Sequence, residues 1–159
     1  MGVPGPGALA SGGMEPVEIN AGEFYLRQLR ADDRVDDRVA LVGGGLVADM
    51  AAASAHIAER DREWADDERC TWAVCEQLTG TAVGEVALAM TGELTCWTTP
   101  DHRGRGIATH ATSAVLRFGF GFLELPAITC APTDEAGRRV AGRCGFSPGA
   151  RPGVWTRLR

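Results

Sequence analysis

The stretch TPDHRGRGIATHA, residues 99–111, decides the fold because it joins a strand, a turn and a helix. It follows a run that ends in TTP, passes through Gly104 and Gly106 with an arginine before each, and continues into small residues that favour a helix. A helix that begins behind such a turn presents free backbone amides and the positive end of its dipole at one place. Residues 103–109, the glycine-rich loop, are therefore predicted to bind an anion, best a diphosphate. The loop alone also fits an ordinary turn.

The spacing of the glycine-rich loop excludes two common phosphate motifs. A Walker loop requires Gly-Lys followed by Ser or Thr, and this chain contains no lysine. A dinucleotide-binding GxGxxG would need a third glycine where Thr109 stands.

Composition narrows the classes of function. A chain of 159 residues with 45% hydrophobic residues predicts one domain with a real core. Its 16 basic residues are outnumbered by 21 acidic ones, and the net charge of -5 disfavours nucleic acid or an anionic membrane as a partner. Five cysteines without metal-ligand spacing predict a reducing, cytoplasmic setting and no metal site. No apolar run approaches the roughly 20 residues that span a bilayer.

The rest of the chain is predicted to be a leader followed by one mixed domain. Residues 1–20, rich in Gly and Pro, are expected to be disordered or loosely attached, and residues 21–159 to form a single domain. A strand over 23–30 is expected to precede two helices. The acidic residues that follow this strand in the sequence are predicted to cap the first helix. Three strands with tight turns then predict an antiparallel meander. A helix with an apolar stripe over 107–122, a short strand, a last helix and a last strand complete an α/β (α+β) fold with helices on the faces of a mixed sheet.

Several motifs around the loop resemble the GNAT N-acetyltransferase superfamily. RGRGIA matches the pattern R/Q-x-x-G-x-G/A of its pyrophosphate loop, with Arg103, Gly106 and Ala108 in the motif positions. GELTCWTTPDHRGRGIATHA, residues 92–111, resembles the same region of the ribosomal-protein acetyltransferases of the RimJ/RimL kind, and PTDEAGRRVAGRCGF, residues 132–146, is similar to a later helix of that branch. The resemblance implies a GNAT-like mixed, mostly antiparallel central sheet with helices on both faces.

The resemblance implies acetyl-CoA as the cosubstrate and an amine acceptor, either a protein N-terminus or a small molecule. In this family the diphosphate lies on the loop amides, and pantetheine lies along the preceding strand and pairs with its main chain. The thioester carbonyl would face a backbone N–H near Trp97 or Thr98. The residues implied to bind the cosubstrate are Trp97, Thr98, Thr99, Arg103, Gly104, Arg105, Gly106, Ile107, Ala108, Thr109 and Asp134.

The attacking amine must be neutral, so a base has to remove a proton from its ammonium form. Glu93 is the first candidate because the branch carries a glutamate at the start of this strand, and Glu85 on the neighbouring strand is the second. An ordinary exposed carboxylate is the alternative at both positions. His102 and His110 flank the loop, where either could contact the CoA phosphates, and His56 lies in a polar helix with no predicted role.

Departures from the family pattern bear on activity. Asp134 stands where the family often has Asn, and Ala141 occupies the position of a Tyr that often acts as general acid. Protonation of the departing thiolate would then fall to water or to another group such as Cys144, for which a buried core thiol is the alternative. A degenerate acyl-CoA-binding regulatory or interaction module is therefore an alternative function. The short segment after Phe146 predicts a clipped terminal hairpin. One wall of the acceptor site would then be missing or supplied by a second subunit of a homodimer.

Overall fold

Eight strands and four helices make up the computed structural model, which describes residues 13–159. The strands, in chain order, are β1 (Ile19–Ala21), β2 (Phe24–Arg27), β3 (Arg69–Glu76), β4 (Ala82–Ala89), β5 (Leu94–Thr98), β6 (Ala127–Cys130), β7 (Ser147–Pro148) and β8 (Trp155–Leu158). The helices are α1 (Arg38–Gly43), α2 (Met50–Ala65), α3 (Ile107–Arg117) and α4 (Glu135–Arg143). One turn of 3-10 helix at Pro100–His102 leads from β5 into the glycine-rich loop.

The strands form two sheets that meet at one place. Five strands form an antiparallel sheet in the order β1-β2-β3-β4-β5, and three form a second sheet in the order β6-β8-β7. The predicted meander is confirmed, because β3, β4 and β5 are antiparallel neighbours. Within residues 13–159 the sheets are joined by a single parallel bridge between Glu93 and Thr129. The mixed, mostly antiparallel architecture is therefore confirmed.

Helices cover both faces of the larger sheet, which explains why β3 and β4 are buried along almost their whole length. Trp72 and Val86 pack with Val115 of α3 on one face. Ala73 packs with Ile57 of α2 on the opposite face. Successive side chains of a strand point to opposite faces, so the two clusters alternate along the same strands.

The N-terminal segment lies closer to the sheet than the predicted leader implied. Residues 1–12 of that leader lie outside the described residues. The backbone N–H of Met14 donates to Asp67 Oδ1 at 2.8 Å, and the indole N–H of Trp72 donates to the carbonyl of Val17 at 2.7 Å. β1 then begins at Ile19. The part over 13–20 is thus attached to the fold by specific hydrogen bonds.

The predicted start of the first helix is wrong. Asp32 accepts hydrogen bonds from the backbone N–H groups of Arg34 at 2.8 Å and Val35 at 3.0 Å, so its side chain closes a turn instead of capping a helix. α1 begins only after Asp37 and is six residues long.

The predicted extent of the helix that follows the glycine-rich loop also needs correction. α3 ends at Arg117 and continues as a wide π-helical turn over Phe118–Phe122, in which the Phe122 side chain is 47% exposed, so Phe122 does not belong to the buried stripe. The glycines at 119 and 121 supply no side chain to hold a regular turn there. The terminal hairpin is short, in agreement with the predicted clipping, because its first strand, β7, has only two residues.

Candidate active site

A cleft of about 840 Å³ opens where β5 and β6 separate beyond the bridge between Glu93 and Thr129. Its walls are the edge of β5, the glycine-rich loop, the first half of α3 and α4. β5 pairs with β4 on its other side only, so its main-chain groups along the cleft have no strand partner beyond the bridge. An elongated ligand that carries amides can hydrogen-bond along such an edge.

The glycine-rich loop presents a row of free amides at one end of this cleft. The backbone N–H groups of residues 104–109 donate to no acceptor within residues 13–159. Gly104 and Gly106 have φ angles of 80° and 76°, in the left-handed region that glycine adopts without strain. Gly106 is also the N-cap of α3, so the helix dipole adds to the amides. This end of the cleft can therefore bind a phosphate or diphosphate.

The lining of the cleft is positively charged although the chain as a whole is acidic. Four arginines line it, together with the two carboxylates of Glu93 and Asp134. The arginines are Arg103, Arg139, Arg143 and Arg151. Within residues 13–159 none of the four forms an ion pair. The cleft thus focuses a positive field on any anionic ligand.

The structure brings most of the predicted cosubstrate residues to this cleft. The residues that line it are Trp97, Thr98, Arg103, Gly104, Gly106, Ile107, Ala108, Thr109 and Asp134. Asp134 also caps α4, since its Oδ1 accepts the backbone N–H of Gly137 at 2.7 Å.

Thr99 and Arg105 do not line the cleft. Thr99 is buried, and its hydroxyl lies 2.6 Å from His102 Nδ1. The Arg105 side chain lies beside Glu76 at 3.5 Å instead of facing the cleft.

Glu93 lies at the closed end of the cleft, where the two sheets meet. Its side chain is exposed and accepts a hydrogen bond from the hydroxyl of Thr91. That hydrogen bond, assisted by the glutamate's own backbone N–H, lowers the pKa of Glu93 below its ordinary value. A carboxylate with a lowered pKa is a weaker proton acceptor.

Glu85 lies on the α1 and α2 face of the sheet, directly across from Trp97 of the neighbouring strand β5. Its Oε2 is 2.7 Å from Nε2 of His56, and the two side chains are only 12% and 18% exposed. When Nε2 donates its proton to Glu85, the other ring nitrogen of His56 is left as a proton acceptor. The pair can therefore act as a carboxylate-oriented base.

His56 had no predicted role, yet two sequence signals point to this pair. Glu85 is a charged residue inside a strand that is otherwise apolar, and such a residue needs a partner when it is covered. His56 stands next to the buried stripe of α2, which contains Ala53 and Ile57. Both residues thus belong to the inward side of their elements.

Comparison with known proteins decides the family. The profile of the Acetyltransferase (GNAT) domain matches residues 15–147. The chain belongs to the GNAT acetyltransferase family. No curated protein matches its sequence.

Solved structures of GNAT-type proteins share the fold at low sequence identity. A protein from Vibrio cholerae named as a candidate ribosomal-protein-serine acetyltransferase has a TM-score of 0.75 at 21% identity, over 90% of this chain and 98% of that one. RimJ of Mycobacterium smegmatis, solved with CoA-disulfide, has a TM-score of 0.69 at 16% identity, over 91% and 86%. The microcin C7 self-immunity acetyltransferase MccE, solved with acetyl-CoA and AMP, has a TM-score of 0.68 at 13% identity, over 95% and 98%.

The GNAT position that often carries a tyrosine acid is Ala141 here, and its side chain lines the cleft. Cys144 does not line the cleft, because it is buried with its Sγ 3.7 Å from the carbonyl of Thr109. Burial raises the pKa of the Cys144 thiol above its ordinary value. Neither residue offers the cleft a ready proton donor.

No helix within residues 13–159 combines the length and apolar character that crossing a membrane requires.

Proposed function

We propose that this GNAT protein transfers an acetyl group from acetyl-CoA to a primary amine, on a protein N-terminus or a small molecule, by direct attack of the amine. The observation that carries this proposal is the row of free amides at residues 104–109, at the end of the open edge of β5. A diphosphate needs such amides, and the amide-rich pantetheine arm needs such an edge. Both features lie in one cleft.

The residues of the cleft suit CoA in charge as well as in shape. Trp97 and Thr98 supply the strand edge, and Arg103 supplies a charge beside the loop amides. Four lining arginines against two lining carboxylates leave a net charge of +2 (4 − 2) on the lining. That charge complements the phosphoryl groups of CoA.

Acetyl-CoA, when bound, supplies an electrophilic thioester carbonyl. We assign the base to the pair of His56 and Glu85. Neither side chain lines the cleft, but Glu85 lies on β4, one strand away from the open edge and directly across from Trp97. The imidazole accepts the ammonium proton, and the carboxylate of Glu85 stabilises the imidazolium that results. Glu93, which does line the cleft, is the second candidate, because the hydrogen bond from Thr91 stabilises its charged form and lowers its pKa.

Matched variants separate the two candidates. His56→Gln should lower kcat about 10²- to 10⁴-fold, the usual contribution of a positioned base, with little change in the KM for acetyl-CoA. Glu93→Gln should lower kcat much less. The reverse order of the two losses would transfer the role to Glu93.

An acceptor screen tests the activity itself. Purified protein with acetyl-CoA is offered basic peptides with free N-termini, amino sugars and polyamines, and both thiol release and the mass of the acetylated product are followed. Thiol release that depends on an acceptor supports the proposal. Tight CoA binding without any acceptor-dependent thiol release would instead favour the degenerate binding module, for which Ala141 is the supporting observation.

The thiols of the chain bear on the proposed cytoplasmic location. All five cysteines are free. Free thiols support the proposed cytoplasmic location, because disulfides are rare in reducing compartments.

A further inference from the structure

The side chains of the two arginines in the glycine-rich loop lie in different environments. Arg103 lines the cleft, whereas Arg105 does not. The Nη1 atom of Arg105 lies 3.5 Å from Oε1 of Glu76, the last residue of β3. Arg105 is therefore paired with a protein carboxylate that does not line the cleft.

The same carboxylate oxygen reaches a second residue at the start of the loop. Glu76 Oε1 is 3.4 Å from Nε2 of His102, whose Nδ1 lies 2.6 Å from the hydroxyl of Thr99. Thr99 is fixed to the sheet, since its backbone N–H donates to the carbonyl of Val83 at 2.9 Å. One side chain from β3 thus contacts both His102, just before the loop, and Arg105 within it.

The loop needs such a contact because its two glycines allow many backbone conformations. Gly104 and Gly106 flank Arg105 on both sides, and no Cβ limits their φ angles. A loop that must be ordered at binding loses affinity through the entropy cost of ordering, whereas a loop ordered in advance does not. Arg105 is the only residue between the two glycines through which a side chain can hold the loop.

We propose that Glu76 is a positioning residue, which braces the glycine-rich loop through Arg105 and His102 so that its amides stay aimed at the diphosphate of CoA. The proposal rests on the proposed function only in requiring that CoA binds at this loop. Glu76 itself makes no contact with the ligand in this arrangement. Arg105 acts through the brace and not as a phosphate ligand.

Whether Glu76→Gln weakens or strengthens CoA binding distinguishes the brace from a purely electrostatic effect of the Glu76 charge. A carboxylate beside an anion site repels the anion, so charge alone predicts that Glu76→Gln strengthens CoA binding. The brace predicts the opposite, because the neutral amide holds Arg105 less firmly. The pair is partly exposed, with 26% of the Glu76 side chain accessible, so we expect the loss to be about threefold to tenfold in Kd.

The test is calorimetry of CoA binding to the full chain and to Glu76→Gln, Arg105→Gln and the double variant. Each single variant should raise Kd about threefold to tenfold, and the double variant should be no worse than either single one, since both remove the same contact. The KM for acetyl-CoA should rise in the single variants while kcat and the KM for the acceptor stay unchanged. Arg105→Lys should restore part of the affinity.

The salt dependence of CoA binding distinguishes an arginine that braces the loop from one that contacts the phosphates directly. Arg103→Gln should reduce the slope of log Kd against log salt, because a cation that faces the ligand is removed. Arg105→Gln should leave that slope unchanged. Glu59→Gln, which breaks a comparably exposed pair with Arg62 on α2, is the matched control and should bind CoA normally.

Unchanged or tighter CoA binding by Glu76→Gln, or additive losses in the double variant, would overturn the brace while leaving the proposed function intact. Failure of the unsubstituted protein to bind CoA would overturn the proposed function and the brace together.

Discussion

At the scale of single residues, Gly106 combines two roles that can be separated. Its φ of 76° is strained for any residue with a Cβ, and its amide belongs to the proposed phosphate site. Gly106→Val should therefore weaken CoA binding by about tenfold or more, because a branched side chain blocks the approach of the phosphate to the amides. Calorimetry with CoA measures this effect.

Gly22 provides the matched control for that substitution. Its φ is 75°, and a Cβ at this position would meet nothing within 4 Å, but it lies in the turn between β1 and β2. Gly22→Val should cost stability of about 1–2 kcal/mol from the same backbone strain and leave CoA binding unchanged. Equal losses of CoA affinity in the two variants would show that strain, and not access to the amides, explains Gly106.

At the residue scale, the features that could be predicted from the sequence are those whose information is local. The glycine-rich loop could be recognised because its glycines, arginines and helix start are neighbours in the chain. The direction of Arg105 could not be predicted, because its partner Glu76 is 29 positions away and reaches it only across the sheet. The same separation hid the pairing of His56 with Glu85.

At the scale of elements, the position of α1 depends on one buried ion pair. Arg27 of β2 binds both carboxylate oxygens of Asp37, at 2.8 and 2.9 Å, and Asp37 also accepts the backbone N–H of Arg30 at 2.7 Å. The two side chains are 5% and 3% exposed. α1 leads into Gly44, which packs against Trp97 on β5. The ion pair thus fixes a wall beside the proposed base.

Asp37→Asn should lower the free energy of unfolding by about 3 kcal/mol, because it leaves the charge of Arg27 buried without a counter-charge. Asp36→Asn is the control, since its pair with Arg38 is one-third exposed and should be worth no more than about 1 kcal/mol. Denaturant titrations of both variants give the comparison. Similar losses for the two would mean that the buried pair does not fix α1.

The sequence pattern predicts the strands of the meander better than it predicts where α1 begins. The strands of the meander were predictable, because their apolar runs and tight turns are local signals. The start of α1 was not, because an aspartate behind a strand can cap a helix or close a turn, and Asp32 does the latter. Only the tertiary contact of Asp37 with Arg27 decides where the helix begins.

At the scale of the whole molecule, buried thiols make the stability depend on alkaline pH. Burial raises the pKa of Cys70 to about 12, and it does the same for Cys75 against the opposing effect of Arg27. The unfolded chain would lose these protons near the ordinary value of 9.0. The stabilisation is thus complete below pH 9 and is lost as pH rises from 9 towards 12.

The free energy of unfolding should fall with a slope of up to about 1.4 kcal/mol per pH unit for each thiol in this window. Cys70→Ala and Cys75→Ala should each make the slope between pH 9 and 11 shallower, whatever they do to the stability at pH 7. Denaturant midpoints measured across that range test this. A slope that neither variant changes would assign the alkaline loss to other groups.

Within residues 13–159 the two sheets are joined at a single bridge between Glu93 and Thr129, which we call the seam. On either side of it β5 and β6 belong to separate sheets, so within residues 13–159 no strand pairing holds them at a constant distance. If the pantetheine arm bound between the two strands, it would hydrogen-bond to both of them and connect the two sheets. Hydrogen–deuterium exchange should then slow along the facing edges of both strands when CoA is added, with the larger change at the end far from the seam.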